Sequence, residues 1–304
     1  MSALVTTLGE RTLEEVQGIL PHEHVFTDTR QGEPPGFGQG NSEDVEKLVV
    51  PWLQKLQKQG INCMVECTPI GCGRRVDIMK AVSEAAGFPL VVATGIYREP
   101  WIPQWAVDAS GAKLYEWMKK ELTVGIEDTG VRAGWIKLSA GDDGLTAVEE
   151  KILRAAARAA KECSATIGSH TIRGEVVLRQ LDILEEEGVP LDRFIWIHTQ
   201  AESNQEFHMQ AAGRGAWLEF DGIGGSPADE DYLGLLQSAL DAGFGQQIML
   251  SQDRGWYDPA HPDGSTFKPY TYLMDSFVPL MREAGLAGWE EQLLRINPFR
   301  AFAR

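Results

Sequence analysis

Six histidines occur among 304 residues, at positions 22, 24, 170, 198, 208 and 261. Their placement carries the chemistry of the chain. His22 and His24 flank Glu23 in Leu20-Pro21-His22-Glu23-His24-Val25. On a strand, residues i and i+2 share a face, so both imidazoles would converge on one point. A lone His-x-His is a weak signal, but three more groups strengthen it. His170 ends the run Ile167-Gly168-Ser169-His170, and His198 ends Phe194-Ile195-Trp196-Ile197-His198. Asp253 ends Ile248-Met249-Leu250-Ser251-Gln252-Asp253. An imidazole or carboxylate closing a buried apolar run is costly to desolvate unless it is paired or binds metal. Five such groups aimed at one mouth predict a metal site. Lys137, in Gly134-Trp135-Ile136-Lys137-Leu138-Ser139, sits at a matching position. Its amine either snorkels to water or is desolvated, and then it can act as a nucleophile or be modified.

These groups need a scaffold that brings distant strand ends together. Short runs rich in Val, Ile, Leu and Trp predict strands at 18–25, 61–67, 89–95, 133–138, 165–169, 193–198, 216–221 and 247–252. Helical patterns lie between them. Ser42 to Gln59 opens with Glu43 and Asp44, and Pro51 predicts a kink or break within it. Thr146 with Glu149 reads as a capping box opening a helix to Glu162. Helices also follow from Glu175 to Glu187, which stops at Gly188 and Pro190, and over 229–242 and 270–284. Strands alternating with helices imply a parallel α/β sheet, and eight strands close a TIM (β/α)8 barrel. The expectation is one barrel domain over residues 1–304, with a doubly wound sheet as the rival. Gly/Pro-rich loops at Gln31–Gly40 and Asp258–Pro269 would lie at the C-terminal face, where barrel enzymes keep their sites.

Composition narrows the partners. Twenty-eight Lys and Arg stand against 44 Asp and Glu, a formal charge of −16. This disfavours nucleic acid and anionic membranes, which attract basic faces. No apolar run approaches the ~18 residues of a membrane span, and Met1-Ser2-Ala3-Leu4-Val5 lacks the pattern of a secretory signal. A cytoplasmic protein is expected. Cys63, Cys67, Cys72 and Cys163 form no Cys-x-x-Cys pair and read as buried small apolar residues in a reducing compartment.

Taken in order, His22-x-His24, Lys137, His170, His198 and Asp253 resemble the ligand set of the amidohydrolase superfamily, in its phosphotriesterase family and the phosphotriesterase-like lactonase branch. The likeness extends from Thr6-x-x-Gly9 to Asn297-Pro298. It implies two divalent metal ions. His22, His24 and Asp253 would hold the more buried one, and His170 and His198 the more exposed. Lys137, carboxylated on its Nζ, would bridge them. Imidazole and carboxylate ligands suit zinc, with iron, manganese or cobalt as alternatives. The resemblance implies hydroxide attack on a lactone carbonyl, with Asp253 moving the proton. Phosphotriester hydrolysis would be a side activity.

Substrate residues follow from the same likeness. Tyr97, in Ala93-Thr94-Gly95-Ile96-Tyr97, matches the lactonase tyrosine that lies over the metals. Arg98 could reach a polar substrate group or pair with Glu99. Arg254 could meet an anion, and Trp101, Trp105 and Trp256 would wall the mouth. Phe220-Asp221-Gly222-Ile223-Gly224-Gly225 lacks the arginine found there in members that open acyl-homoserine lactones. The alternatives are a phosphotriesterase or an ester or amide hydrolase using the same site, and, more remotely, a non-enzymatic binder on a barrel scaffold. A small-molecule lactone or ester is the expected partner, with a second copy of the chain as a homodimer.

Overall fold

The computed structural model describes residues 2–304. A short antiparallel hairpin, β1 (Leu4–Thr6) and β2 (Gly9–Arg11), precedes the main sheet. Then come β3 (Ile19–Phe26), β4 (Cys63–Glu66), β5 (Leu90–Thr94), β6 (Trp135–Ser139), β7 (Ile167–His170), β8 (Phe194–Ile197), β9 (Trp217–Phe220), β10 (Ile248–Leu250) and β11 (Gly255–Tyr257). These nine form one parallel sheet in the order β10-β9-β8-β7-β6-β5-β4-β3-β11. From β3 to β10 neighbours in space are neighbours in sequence, so the order has no reversal, and a doubly wound sheet would need one. The sheet curls, because residues 248–257 supply both of its edges. Across that seam Asp253 N–H donates to His22 O (3.3 Å) and His24 N–H to Arg254 O (2.9 Å).

Helices connect the strands, including α1 (Ser42–Lys58), α2 (Val76–Ala86), α3 (Gln104–Asp108), α4 (Gly111–Thr123), α5 (Ala147–Cys163), α6 (Gly174–Glu186), α7 (Gln205–Gly213) and α8 (Asp229–Asp241). The Thr146–Glu149 capping box opens α5 as expected. Helix α1 runs through Pro51 without a break. Pro51 is exposed, so water can satisfy the carbonyl its missing N–H leaves free. The region expected to be one helix over 270–284 is a π-turn, Leu273–Phe277, running into a short α-helix, Val278–Glu283. No helix among the described residues is long and apolar enough to cross a membrane.

Two buried clusters divide the core. One joins the helices to the outer side of the strands. The other collects alternate strand residues (Cys63, Val65, Cys67, Val91, Ala93, Trp135, Ile195, Ile197, Trp217, Met249) with Phe299 and Phe302 from the C-terminus. Strand pleating puts residues two apart on one face, so this second set marks the concave side. Continuing each series toward the strand C-terminus reaches polar side chains: Lys137 and Ser139 after Trp135, Glu219 and Asp221 after Trp217, Ser251 and Asp253 after Met249. The concave face is thus apolar at one end and chemically equipped at the other.

Candidate metal centre

Strand β3 reaches this face through an irregularity. Ile19 pairs with Cys63 and Leu20 with Met64, but Glu23 pairs with Glu66, so β3 gains one residue on β4 between Leu20 and Glu23. The extra residue reverses the alternation. Ile19 belongs to the concave cluster, and without the bulge His22 would point away from it. With it, both imidazoles face inward. His198 lies one residue beyond β8, where alternation after Ile197 would turn it outward. Its left-handed backbone (φ 62°) swings it back. Asp253 also has positive φ (48°). Such backbone costs on the order of 1 kcal/mol or more for a side-chain-bearing residue, and it clusters where geometry serves function. His170 closes β7, and Gly168 before it is forced by packing: a Cβ there would lie 2.5 Å from the Trp135 ring.

All six predicted ligand residues, His22, His24, Lys137, His170, His198 and Asp253, line one pocket of about 60 Å³ together with Tyr97, Cys67, Cys72 and Trp256. That is space for ions and water. Asp253 Oδ1 lies 3.2 Å from His24 Nε2 and 3.7 Å from His22 Nε2. One ligand atom from each of His22, His198 and Asp253 falls within 4.8 Å of the others. The His170 and His198 rings are 4.3 Å apart, edge to face.

The opposite side of each ring explains what faces inward. His22 Nδ1 lies 2.9 Å from Glu219 Oε2, and His198 Nδ1 lies 2.7 Å from Asp221 Oδ1. His24 Nδ1 lies 2.7 Å from Thr68 Oγ1, whose hydroxyl donates to Glu66 Oε1 at 2.7 Å. Thr68 and the ionised Asp221, which also lies 3.2 Å from His22 Nδ1, can only accept here, so each Nδ1 carries the proton and each Nε2 presents a lone pair. At Asp253 that lone pair meets a carboxylate oxygen with no hydrogen-bond partner of its own. Two acceptors 3.2 Å apart in a buried site repel unless a cation lies between them. Zinc ligands about 2.1 Å from the ion are roughly 3.4 Å from each other at the tetrahedral angle, which matches this spacing. Lys137 is 2% exposed and so does not snorkel. Among the described residues no carboxylate lies within 4.0 Å of its amine. A buried amine without a counter-ion suits conversion to a carbamate, and the donor set fits a divalent metal pair.

Burial pushes the His22 imidazolium down to about 3, so the ring is neutral at pH 7 and free to bind metal. Burial, with the nearby His198 and Lys137, also holds His170 well below the usual histidine range. The carboxylates Glu219 and Asp221 titrate as a pair. Burial and the Asp221 charge drive Glu219 upward. Burial would raise Asp221 too, but His198 and His22 hold it well below the usual carboxylate range. Asp221 is therefore the ionised member. Burial opposes ionisation of Asp253 as well, yet the surrounding imidazoles, which take up a proton in preference to it, keep its carboxyl below the usual carboxylate range.

The substrate candidates separate. The Tyr97 hydroxyl lies 3.3 Å from both ring nitrogens of His170, which no carboxylate among the described residues approaches within 4.0 Å. The Trp256 ring packs 4.7 Å from His24. The Arg254 guanidinium turns away from this pocket, 4.5 Å over the Tyr272 ring, and donates to Gly224 O. Trp101 stands behind Tyr97 and bonds Thr29 O (2.8 Å), while Trp105 is 46% exposed against Trp117. Arg98 approaches Asp142 (3.7 Å) rather than Glu99. All four cysteines are free; Cys63, Cys67 and Cys72 are buried and Cys163 half-buried. Sequence reasoning missed Glu66, Thr68 and Glu219 behind the histidines. A signal existed, since Glu66 and Glu219 sit inside the apolar runs Cys63-Met64-Val65-Glu66-Cys67 and Trp217-Leu218-Glu219-Phe220.

A model of the phosphotriesterase family matches residues 2–302. The phosphotriesterase homology protein of Escherichia coli is 28% identical over 290 residues, 93% of this chain and 97% of its own length. The aryldialkylphosphatase of Saccharolobus solfataricus is 28% identical over 321 residues, 98% of this chain and 99% of its own. The crystal structure of a lactonase from Listeria monocytogenes superposes with a TM-score of 0.88 at 25% identity, covering 99% of both chains.

Proposed function

The chain belongs to the phosphotriesterase family and is a hydrolase, and from that premise we propose that it opens lactones with a pair of divalent metal ions. One observation carries the reading: Tyr97 faces His170 at the rim of a pocket in which four imidazoles, Lys137 and Asp253 converge. The likeness to a solved lactonase supports it. In this reading the curled sheet is a single (β/α)8 barrel domain of a cytoplasmic enzyme, which pairs as a homodimer.

His22, His24 and Asp253 would hold one ion, His170 and His198 the other, and carboxylated Lys137 would bridge. Zinc suits these ligands best. When bound, two such ions lower the pKa of shared water and polarise the substrate oxygen. The protein supplies the rest. Glu219, Asp221 and the Thr68–Glu66 pair fix the tautomers of His22, His198 and His24. Asp253, ionised at neutral pH, takes the proton released as the nucleophile attacks and returns it to the departing ring oxygen. The Tyr97 hydroxyl orients the ester, and Trp256 shields the pocket from bulk water. Arg254 is kept as a candidate contact for substrate that extends beyond the pocket toward Gly224.

The test is hydrolysis of a panel of γ- and δ-lactones, acyl-homoserine lactones, phosphorylated sugar lactones and one phosphotriester. Zinc- and bicarbonate-loaded protein is compared with Asp253→Asn as the blank. Turnover of one lactone class well above the phosphotriester is expected. Faster turnover of the phosphotriester, an ester or an amide would overturn the lactonase reading and leave a hydrolase of that bond.

A further inference from the structure

Glu23 stands between the two ligand histidines of β3 and is fully buried. Acidic residues are almost never fully buried unless paired. Among the described residues no side-chain cation lies within 4.0 Å of the Glu23 carboxyl. Its two oxygens are spent instead on one short segment of another element. Oε1 lies 2.8 Å from Ser251 Oγ, and Oε2 accepts from the Arg254 backbone N–H at 2.7 Å. The Glu23 backbone is anchored on the opposite side, where its O accepts from Cys67 N–H after β4 at 2.9 Å. Apolar residues can often replace buried charged groups without loss of stability, so a carboxyl in such a place is explained by the geometry it fixes.

Asp253 lies between the two points that Glu23 reaches. Its left-handed backbone (φ 48°) persists only where the surroundings over-determine it. Its own backbone bonds are few: N–H reaches His22 O at 3.3 Å, and O accepts from Trp256 Nε1–H at 3.0 Å. Glu23 grips the chain on either side. Ser251 Oγ also accepts from His22 N–H at 3.0 Å and lies 3.1 Å from His22 O. Arg254 O accepts from His24 N–H at 2.9 Å, and the Tyr270 hydroxyl donates to His24 O at 2.8 Å. The segment from Ser251 to Arg254 is thus pinned to His22, Glu23 and His24 in turn. His22, His24 and Asp253 all belong to these two segments. His170, at the end of β7, and His198, after β8, belong to neither.

We propose that Glu23 is a positioning residue: it clamps Asp253 against His22 and His24 and so shapes the site of one metal ion and not of the other. The proposal rests on the two-ion reading above. The clamp acts through two hydrogen bonds at fixed points. An amide can make both, because its oxygen accepts from Arg254 N–H and its NH2 donates to Ser251 Oγ, whose own hydroxyl then turns to His22 O. A methyl group makes neither. Without the clamp, Asp253 is free to leave its strained backbone, and the carboxylate oxygen that faces His24 Nε2 leaves with it.

Zinc competition against a chromophoric chelator, with bicarbonate present, reads the two affinities in the parent protein, Glu23→Ala, Glu23→Gln and Ser251→Ala. Glu23→Ala should weaken one ion roughly 10- to 100-fold, the range for losing a group that orients a ligand, and leave the other near its parent value. Ser251→Ala should weaken the same ion less, because Arg254 N–H keeps its acceptor. Glu23→Gln should restore most of the affinity that Glu23→Ala loses. In cadmium-loaded protein, cadmium-113 spectra should show one of two resonances displaced by Glu23→Ala. Equal weakening of both ions, as from a loosened fold, overturns the clamp. So does no weakening of either, or a loss in Glu23→Gln as large as in Glu23→Ala. If Glu23→Ala does not fold, Ser251→Ala decides by the same readouts. Amide hydrogen exchange at Asp253 in metal-free protein reads the clamp without any ion. Faster exchange in Glu23→Ala than in Glu23→Gln, with a parent protein that binds fewer than two zinc ions, keeps the clamp and removes the two-ion reading. Unchanged exchange in a protein that binds two ions does the reverse.

Discussion

Asp221→Asn replaces one oxygen by an NH2 group and preserves side-chain shape. Asp221 Oδ1 accepts from His198 Nδ1–H and Gln200 Nε2–H, both at 2.7 Å. Its Oδ2 accepts from the His198 backbone N–H at 2.8 Å and lies 3.2 Å from His22 Nδ1. An amide has a single oxygen, so in either orientation its NH2 confronts at least one buried donor. Hydrogen bonds to a charged group contribute about 1.5–3 kcal/mol, and an unsatisfied buried donor costs about 1–3 kcal/mol. Asp221 is fully buried, so solvent does not screen the loss. The expected destabilisation is about 2–4 kcal/mol. The functional effect is separate. With its Nδ1–H no longer held, the His198 ring loses its orientation, and removal of such a partner typically lowers metal affinity or activity by about 10- to 100-fold. Denaturant unfolding with chelator present isolates the fold term, and zinc competition against a chromophoric chelator isolates the metal term. Gln200→Ala, which removes the side-chain bond to Asp221 Oδ1 and the bond from Asp221 N–H but leaves His198 paired, should show the smaller loss in both. A stability loss with unchanged zinc affinity and turnover would refute the reasoning, because Asp221 would then only support packing.

Lys137→Met should abolish turnover, and reconstitution with 13C-bicarbonate should give a carbamate carbonyl resonance in the parent protein that the variant lacks; a signal in both would remove Lys137 as the modified residue. Gly95→Ala places a Cβ against the backbone of Lys137 at a residue with φ 113°. Strain at such a position costs at least about 3 kcal/mol, read as a lowered denaturation midpoint, and near-parent stability would show that β5 can move away from β6. His208 is buried, donates from Nε2 to Glu202 O (3.0 Å), and burial lowers its pKa. The unfolded chain therefore binds a proton that the folded chain refuses, and stability is fully present above pH 6.5 and falls as pH drops toward the folded pKa. His208→Gln should flatten that decline by up to about 1.4 kcal/mol per pH unit, and an unchanged slope would assign the decline to other groups.

The ligand set was legible because its chemistry conflicts with its surroundings. His170, His198 and Asp253 end runs of Val, Ile, Leu and Trp, and that conflict is local and visible in a string of letters. Strand positions were legible for the same reason, since fully buried strands read as continuous apolar runs. β11 was not, because Gly255-Trp256-Tyr257 is too short and mixed to stand out and exists only by pairing with β3.

Residue type and order thus determined which groups do the chemistry and that consecutive strands carry them. Tertiary structure decided where they point. The His22–His24 pair faces inward only because β3 gains a residue against β4, a property of the pairing and not of either strand. His198 faces inward only because its backbone turns left-handed after β8. Arg254, read from sequence as a group that could meet an anion at the site, lies instead over Tyr272. Burial cost depends on composition and can be read along the chain. Side-chain direction and ion pairing depend on register, backbone handedness and which carboxylate arrives from another element, and only the folded chain supplies those.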